Sequence, residues 1–333
     1  MAAKSWKEWE RPIIDATDAI NKFKEAAAKT SDPAERARLL EKAERDETRR
    51  DQAIELLYSR LGPWEKVLVS RAEKRPYTLD YIQSIFSEFV ELDGDRRFGA
   101  DHAIVGGPAS LNGRGVMVIG HQKGRNIQER QYRNFGMAKP EGYRKAMRLM
   151  DMANRFDMPV ICFVDTPAAD PGVESEARGI SEALAASMLK MFELKVPAIA
   201  VVVGEGGSGG ALALAVANVV LMQEHAIYSV IPPEGCAAIL WRKPEMAPQA
   251  AAALKLTAQS AFELQLIDEI LPEPKGGAHR DPIEAGGHIK AAILRYLDSF
   301  NGMSGDDIKR HRYDKFRKMG IMGDPFAVGL AED

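Results

Sequence analysis

Apolar residues recur at helical intervals through the first sixty residues of the chain. Between residues 5 and 61 they fall three or four positions apart among many Ala, Glu, Lys and Arg residues, which is the spacing of a helix with one buried face. Asp32-Pro33 divides this stretch, because aspartate is a favoured N-cap and proline fits the first helical position. Gly62-Pro63 ends the second half. The pattern predicts two helices, which form a helical N-terminal extension over residues 1–62.

Beyond this extension the pattern changes to short apolar runs. Thr78 begins a helix that we expect to close at residues 93–95, and Asn112-Gly113, the dipeptide best suited to a type I′ turn, predicts a β-hairpin. Helical stretches then alternate with runs that suit strands buried on both faces: residues 159–164, 198–203, 219–222 and 226–231. Alternating strands and helices predict an α/β domain, which we place at residues 63–300.

The spacing of apolar residues becomes less regular towards the C-terminal end of the chain. An amphipathic helix is predicted from about residue 283 to residue 300. Beyond Gly302 the apolar residues show only weak periodicity, so we expect residues 301–333 to form a partly mobile C-terminal tail.

Composition and charge narrow the class of protein. Of the 333 residues, 45% are hydrophobic and 28% are charged, as is usual for a globular protein. The 45 Lys and Arg residues nearly balance 48 Asp and Glu residues, so no overall positive field attracts nucleic acid or an anionic membrane. Cys162, Cys236 and the six histidines stand at no metal-ligand spacing, so we expect no metal site in this chain. Without an apolar leader or a run of membrane length, a cytoplasmic protein is expected.

The most distinctive motif is a glycine-rich turn, Gly-Glu-Gly-Gly-Ser-Gly-Gly at residues 204–210, between a predicted strand and an Ala-rich helix. Glycines let the backbone approach a ligand closely, and the N–H groups at a helix start attract negative charge. This combination predicts an oxyanion hole. A turn that only packs a strand against a helix would need one or two glycines, so five in seven residues favour a functional role.

Two other interpretations of this turn are weaker. Residues 206–210 also fit Gly-x-Ser-x-Gly, and Asp268 and His279 follow Ser208 in the order of a serine hydrolase. His279, however, stands beside two glycines in a predicted loop, and nothing else marks it as a base. A dinucleotide site is not supported, because the glycines fall late in the chain and no acidic residue ends a following strand at the expected offset.

Cations after the predicted hairpin form a second candidate site. Lys123 and Arg125 directly follow a predicted strand, where cations can contact phosphates. A solvated loop whose carboxylates balance these charges is an equally good interpretation. A loop of small residues at 165–172 follows the next predicted strand, which is also a favoured place for a ligand.

Several motifs, in one order, connect the chain to a known family. They are Arg-Pro-Tyr-Thr-Leu-Asp-Tyr at 75–81, Val-Gly-Gly at 105–107, Gly-His-Gln-Lys-Gly-Arg at 120–125, Arg-Asn-Phe-Gly-Met at 133–137, Pro-Glu-Gly-Tyr-Arg-Lys at 140–145, the glycine-rich turn, Pro-Glu-Gly-Cys-Ala at 233–237, Leu-Trp at 240–241 and Gly-Gly-Ala-His-Arg at 276–280. Together they resemble the alpha subunit of the bacterial and plastid acetyl-CoA carboxylase carboxyltransferase, a biotin-dependent family. The match covers residues 62–300, whereas the N-terminal helices match in character only.

The resemblance implies a crotonase-type fold, a spiral of ββα units, in an enzyme subunit of fatty acid synthesis. In this family carboxybiotin, carried on the biotin carboxyl carrier protein, releases carbon dioxide beside acetyl-CoA. The biotin ureido anion then removes a methyl proton, and the enolate attacks carbon dioxide to give malonyl-CoA. The base therefore belongs to biotin. A standalone crotonase-fold hydratase or isomerase, an alternative, would need Glu205 or Glu234 as its base.

Motif matching assigns the biotin-side oxyanion hole to the backbone N–H groups of Gly209 and Gly210, the predicted catalytic residues. We expect the substrates to contact further residues of the glycine-rich turn, the 165–172 loop and the basic motif: Gly206, Gly207, Ser208, Pro167, Pro171, Gly172, Lys123 and Arg125. The resemblance also implies a beta subunit of the same fold in an α2β2 assembly, with the active site between the two chains. Biotin carboxylase would be a further partner in the ATP-dependent complex, and the family's zinc ribbon belongs to beta.

The loop at 165–172 and its surroundings depart from the family pattern. Ala168 and Glu174 replace glycines, Asp170 replaces a tyrosine, and Pro232 replaces a capping serine. If the glycine has a positive φ, alanine costs about 1 kcal/mol, and unpaired carboxylates near a biotin anion would be unfavourable. Two hypotheses follow, a divergent member with altered acyl-CoA preference and a non-catalytic scaffold for the beta subunit.

Overall fold

The computed structural model describes residues 6–320 of the chain. Its α-helices are α1 (Trp6–Trp9), α2 (Arg11–Lys29), α3 (Pro33–Tyr58), α4 (Pro63–Ser70), α5 (Thr78–Ile85), α6 (Ile127–Tyr132), α7 (Pro140–Arg155), α8 (Val173–Ala177), α9 (Ile180–Glu193), α10 (Ser208–Ala215), α11 (Pro233–Trp241), α12 (Ala247–Ala253), α13 (Ala258–Glu263), α14 (Pro282–Ser299) and α15 (Gly305–Lys318). Its strands are β1 (Ile104–Leu111), β2 (Arg114–His121), β3 (Val160–Thr166), β4 (Ala198–Gly207), β5 (Val219–Gln223), β6 (Ile227–Ser229) and β7 (Glu269–Leu271). The order of elements is that of an α/β protein.

Helices α2 and α3 form the predicted N-terminal pair and pack against each other. Their apolar faces are buried at the expected spacing: Ile13, Ile20 and Ala27 on α2, and Ala43 and Ile54 on α3. Asp32 is the N-cap of α3, and its carboxylate accepts the Ala34 N–H at 3.0 Å. The prediction of two helices is confirmed. The division of the chain into an extension, a domain and a tail at residues 62 and 300 stays a prediction.

Seven strands form one sheet in which β1 and β2 are antiparallel and the later strands are parallel. The order is β1-β2-β3-β4-β5-β7, and β6 pairs with the far end of β4. Asn112 and Gly113 connect β1 to β2 with φ angles of 50° and 83°, the left-handed conformations that a type I′ turn requires. The predicted hairpin is therefore confirmed, and parallel neighbours bring the carboxyl ends of β3 and β4 to the same edge.

Apolar side chains cover both faces of this sheet, which places it between two helical layers. On β3, Cys162 and Val164 face a core shared with helices α7, α9 and α10. Ile161 and Phe163 face the opposite core, which α5 and α14 complete. A strand that is buried on both faces has no polar alternation, which explains the continuous apolar runs in the sequence.

The predicted end of the helix that begins at Thr78 is wrong because tertiary pairing overrides the local pattern. Helix α5 ends at Ile85, and the following residues run along the edge of β1, where Val90 N–H donates to Pro108 O at 3.0 Å and Leu92 N–H to Gly106 O at 2.9 Å. Gly107 permits this approach, since a Cβ there would overlap the Val90 carbonyl. Strand β7 was not predicted, because three residues are too few to show a pattern.

Residues 305–318 of the predicted C-terminal tail form a regular helix, which the weak periodicity of the sequence did not indicate. They form α15, whose N-cap Ser304 accepts the Asp307 N–H. Arg312 on this helix is fully buried and donates to Leu194 O at 2.9 Å and to Val196 O at 3.0 Å. The rest of the predicted tail, residues 321–333, lies outside the described part of the chain.

Candidate active site

The glycine-rich turn joins β4 to α10 and packs directly on the loop that follows β3. Strand β4 extends beyond its predicted end to Gly207, because Glu205, Gly206 and Gly207 pair with β6. A Cβ on Gly207 would overlap the carbonyl oxygen of Pro167. At Gly210 a Cβ would lie 2.6 Å from the backbone nitrogen of Ala169. Glycine is therefore required at both positions by the close approach of two backbones.

Helix α10 begins at Ser208, which has a φ of 51°, and Gly207, its N-cap, provides no side-chain cap. The first N–H groups of a helix have no partner within it, and they carry the positive end of the helix dipole. Ser208 and Gly209 are half-buried and line a cavity of about 270 Å³ whose other walls are mainly apolar, with Leu212, Tyr228 and Phe316 among them. The N–H groups of the first turn can therefore stabilise an anionic oxygen beside an apolar cavity.

A neutral aromatic pair lies behind this helix start. His121 is fully buried, and burial together with the charge of Lys123 lowers its pKa to about 3, so the ring is neutral. Its ring meets that of Tyr143 edge to face, with centroids 6.4 Å apart. The Tyr143 hydroxyl lies 3.0 Å from the Cβ position of Gly210. The sequence motif contains His121, but only the fold shows that it stands behind the turn.

The loop at 165–172 and the start of α8 accommodate three of the four substitutions that depart from the family pattern. Ala168 does not have a left-handed backbone, so alanine is not strained there. Asp170 accepts a hydrogen bond from the Ser175 hydroxyl, and its N–H donates to Ala138 O at 3.0 Å. Glu174 pairs with Arg178 at 3.5 Å. The backbone of Ala168 is therefore unstrained, and the carboxylates of Asp170 and Glu174 both have partners.

The remaining predicted residues of this loop lie at its far end. Pro171 is exposed, and Gly172 is the half-buried N-cap of α8. Pro167, at the near end, contacts the glycine-rich turn and also borders a cavity of about 190 Å³ that Lys123 and Glu205 share. Pro167 thus belongs to the turn, whereas Pro171 and Gly172 are set apart from it.

The two predicted phosphate-binding cations have partners within the protein. Lys123 Nζ lies 2.7 Å from Asp165 Oδ1 and 2.8 Å from Glu205 Oε2, and burial leaves little of it exposed. Arg125 pairs with Asp80 and stacks over the ring of Tyr77, with the guanidinium carbon 4.0 Å from the ring centroid. Contact of either cation with a CoA phosphate stays a prediction, since a phosphate would compete with these partners.

Glu205 and Glu234, the candidate bases of a standalone hydratase, are both paired with cations. Burial acts to raise the pKa of Glu205, but Lys123 and Arg71 outweigh it and lower the pKa to about 2. Arg71 Nε donates to Glu205 at 2.7 Å and the same guanidinium pairs with Glu234. A carboxylate with so low a pKa is a weak proton acceptor, so this geometry argues against Glu205 as a general base.

The family "Acetyl co-enzyme A carboxylase carboxyltransferase-like" matches residues 6–320. The chain belongs to this family. The alpha subunit of the acetyl-coenzyme A carboxylase carboxyl transferase of Thermus thermophilus is 51% identical over 319 residues, which are 96% of this chain and 99% of that protein. Its counterpart in Geobacter metallireducens is 50% identical over 319 residues, which are 96% of this chain and 98% of that protein. The family inferred from the motifs is confirmed.

Solved structures with low sequence identity share the fold of this carboxyltransferase-family chain. A Pseudomonas malonate decarboxylase hetero-tetramer in complex with coenzyme A superposes with a TM-score of 0.57 at 20% identity, over 70% of this chain and 91% of that chain. Transcarboxylase 12S with methylmalonyl-coenzyme A and methylmalonic acid bound gives a TM-score of 0.53 at 23% identity, over 66% of this chain and 41% of that longer chain. The predicted α/β crotonase-type fold is confirmed.

The residues of the hydrolase alternative do not form one site in this family member. Ser208 lines the apolar cavity at the turn. His279 lies 3.5 Å from Glu10 and borders a different cavity of about 700 Å³, between the N-terminal helices and the 274–281 loop. Asp268 accepts the Val220 N–H at 2.6 Å and pairs with Lys315. These separate partners, together with the family match, remove the basis of the hydrolase interpretation.

Two further findings concern metals and membranes. Among residues 6–320, no three side chains of His, Cys, Asp or Glu gather closely enough to hold a metal ion. Over the same range, no helix has both the length and the apolar character that crossing a bilayer requires.

Proposed function

We propose that this chain is the alpha subunit of an acetyl-CoA carboxylase carboxyltransferase, which transfers the carboxyl group of carboxybiotin to acetyl-CoA and yields malonyl-CoA for fatty acid synthesis. The observation that carries this proposal is the family match along residues 6–320. Relatives that bear this subunit name are about 50% identical and are covered almost from end to end. The arrangement of the glycine-rich turn supports the same chemistry.

The contribution of this chain is electrostatic. The backbone N–H groups of Gly209 and Gly210, in the first turn of α10, donate hydrogen bonds to the biotin ureido oxygen as negative charge develops on it. Bound carboxybiotin supplies the carboxyl group and, after its release, the basic nitrogen. The walls beside Gly209 are mainly apolar, so they exclude water and strengthen these hydrogen bonds once the open side of the site is covered.

The protonation states of Glu205 and His121 indicate that the proton acceptor lies outside this chain. Glu205 is held as a carboxylate of low pKa by Lys123 and Arg71, and burial keeps His121 neutral with a pKa of about 3. Neither group is suited to remove a methyl proton from a thioester near neutral pH. The chain therefore orients the biotin and stabilises its charge, while the base is supplied with the substrate.

The site is open on one side, which suits a shared active site. Ser208 and Gly209 are half-buried, and exposed apolar side chains, Leu212 and Val230, flank the cavity. A beta subunit of the same fold would close this side in an α2β2 assembly and stabilise the thioester enolate. The biotin carboxyl carrier protein would deliver biotin after its carboxylation by biotin carboxylase. Such a complex is expected in the cytoplasm.

Further residues around the turn complete the proposed substrate site. Gly206, Gly207, Ser208 and Pro167 form the wall on which the donor helix starts, where the glycines permit the approach of two backbones. Pro171 and Gly172 lie towards solvent and would contact the substrate at the entrance, and Lys123 and Arg125 would do so only by exchanging a protein partner. The scaffold hypothesis loses its main support, because Ala168 is unstrained and Asp170 is paired.

The test is malonyl-CoA-dependent carboxylation of biotin, the reverse reaction, measured for this chain alone, for its cognate beta subunit alone and for the mixture. Activity in the mixture only, with a large loss on Gly210→Val, supports the split site. Beta binding without activity in the mixture would replace this proposal with the scaffold hypothesis.

A further inference from the structure

A bulge in β4 overlaps the start of the glycine-rich turn. The pairing of β3 with β4 is regular as far as Val164 and Val202, and it resumes at Thr166 and Gly206. One residue of β3, Asp165, therefore stands opposite three residues of β4, 203–205. A bulge bends its strand and redirects the residues that follow. Here those residues are the ones that lead into the start of α10.

Buried charged side chains satisfy the backbone of this bulge. The Glu205 N–H has no backbone acceptor on β3 at the bulge. It donates instead to the side-chain oxygen Oδ1 of Asp165 at 2.9 Å. On the opposite side, Arg75 Nε donates to the Val203 carbonyl oxygen at 2.7 Å. Asp165 and Arg75 are 2% and 1% exposed, so water cannot easily replace either partner. The backbone groups of the bulge therefore depend on these two side chains for their hydrogen bonds.

Lys123 fixes the position of the Asp165 carboxylate. Its Nζ lies 2.7 Å from Asp165 Oδ1 and 2.8 Å from Glu205 Oε2, so one ammonium connects the ends of β2, β3 and β4. Gly204 leaves room for this arrangement, because a Cβ there would overlap the Asp165 carboxylate. Gly136, with a φ of 78°, packs over the Lys123 side chain in the same way. This contact therefore explains one glycine of the turn, Gly204, and one outside it, Gly136.

We propose that Asp165, Lys123 and Arg75, the bulge clamp, are positioning residues that aim the Gly209 and Gly210 N–H groups at the substrate oxygen. Donors act in catalysis only if they are held where the charge develops, and their loss costs about 10²- to 10³-fold in kcat. From Glu205, which the clamp holds, only three residues lead to Gly209. This inference rests on the proposed function, because it concerns the same donors.

The test compares Asp165→Ala with Asp165→Asn in the assembly with the cognate beta subunit. Alanine removes the acceptor of the Glu205 N–H, whereas asparagine retains an oxygen there. We expect Asp165→Ala to lower kcat for malonyl-CoA-dependent biotin carboxylation by about 10- to 100-fold, with the KM for malonyl-CoA changed less than about threefold. Asp165→Asn should recover most of kcat.

Asp95→Ala is the matched control. Asp95 is 5% exposed and its carboxylate accepts the N–H groups of Arg97, Phe98 and Gly99, so alanine removes a similar buried acceptor from a loop outside the bulge. We expect a similar loss of thermal stability with kcat within about threefold of the wild type. An equal loss of kcat in Asp95→Ala and Asp165→Ala would overturn the inference, because general destabilisation would then explain both.

Amide hydrogen exchange separates this inference from the proposed function. Exchange over residues 204–210 should rise in Asp165→Ala and stay at the wild-type level in Asp95→Ala, whether or not the assembly is active. Wild-type inactivity would remove the proposed function alone. Full activity of Asp165→Ala in an assembly that Gly210→Val inactivates would remove the clamp alone. If Asp165→Ala does not fold, Lys123→Gln replaces it, with an expected loss of kcat of about fivefold or more and recovery in Lys123→Arg.

Discussion

The backbone nitrogen of Ala169 lies 2.6 Å from the point that a Cβ atom of Gly210 would occupy. At Gly209 the same atom would meet only Leu184 Cδ1, at an ordinary 3.4 Å. The two neighbouring glycines therefore differ in what an added methyl group would cost. The contact at Gly210 can be relieved only if the 165–172 loop or the start of α10 moves, because backbone cannot rotate away as a side chain can.

Gly210→Ala is expected to destabilise the protein by about 1–3 kcal/mol, the usual cost of overpacking. Gly209→Ala should be neutral or stabilising by up to about 1 kcal/mol, since alanine is the better residue in a helix. Urea unfolding of the two variants measures the difference. Equal stability of both would show that the loop yields freely at Ala169.

Arg312 anchors the C-terminal helix through carbonyl groups rather than carboxylates. It donates to Leu194 O, Val196 O and the side-chain oxygen of Asn218, and it is fully buried. Burial lowers its pKa to about 10, which still leaves it charged at neutral pH. Arg312→Met leaves these acceptors unpaired, so we expect a loss of about 3 kcal/mol or more in unfolding free energy. Arg317→Met, exposed on the same helix, is the control and should lie within about 0.5 kcal/mol of the wild type.

Glu273 provides a pH-dependent part of the stability. Burial acts to raise its pKa, but Arg75, at 2.6 Å and 2.8 Å, outweighs it and lowers the pKa to about 2 from an ordinary 4.5. A depressed pKa stabilises the fold above about pH 4.5, and this contribution is lost as the pH falls towards 2. It amounts to roughly 3 kcal/mol.

Glu273→Gln should therefore show a shallower decline in unfolding free energy between pH 4.5 and pH 2 than the wild type. Denaturant unfolding at several pH values measures this slope. Glu263→Gln, at an exposed position on α13, is the control and should keep the wild-type slope. A wild-type slope in Glu273→Gln would mean that other carboxylates govern the acid transition.

Local signals were enough to predict the hairpin and the glycine-rich turn. Asn112-Gly113 and the run of glycines each specify a backbone conformation within a few residues. The bulge in β4 opposite Asp165 could not be predicted, because it depends on the register between two strands that are separated by helices. Helix α15 was not predicted for a different reason. Its buried residues are Ile308 and Arg312, and a buried arginine does not contribute to an apolar pattern.

Restoring the family residues at positions 168, 170 and 174 tests whether the departures from the family pattern are adaptations. Ala168 has an ordinary backbone, so Ala168→Gly should cost about 0.4–1 kcal/mol by increasing the freedom of the unfolded chain. Asp170→Tyr removes the acceptor of the buried Ser175 hydroxyl, which should cost about 1–3 kcal/mol more. Glu174→Gly removes an exposed ion pair worth under about 1 kcal/mol.

We therefore expect the triple variant to unfold at a lower urea concentration than the wild type, with turnover per folded molecule unchanged or raised. Asp170→Asn is the control, because it keeps an oxygen beside Ser175 and should retain most of the stability. A more stable triple variant would show that the native loop is strained in a way that its hydrogen bonds do not reveal. A steep loss of turnover in folded protein would instead show that the loop, as it stands, takes part in positioning the substrate.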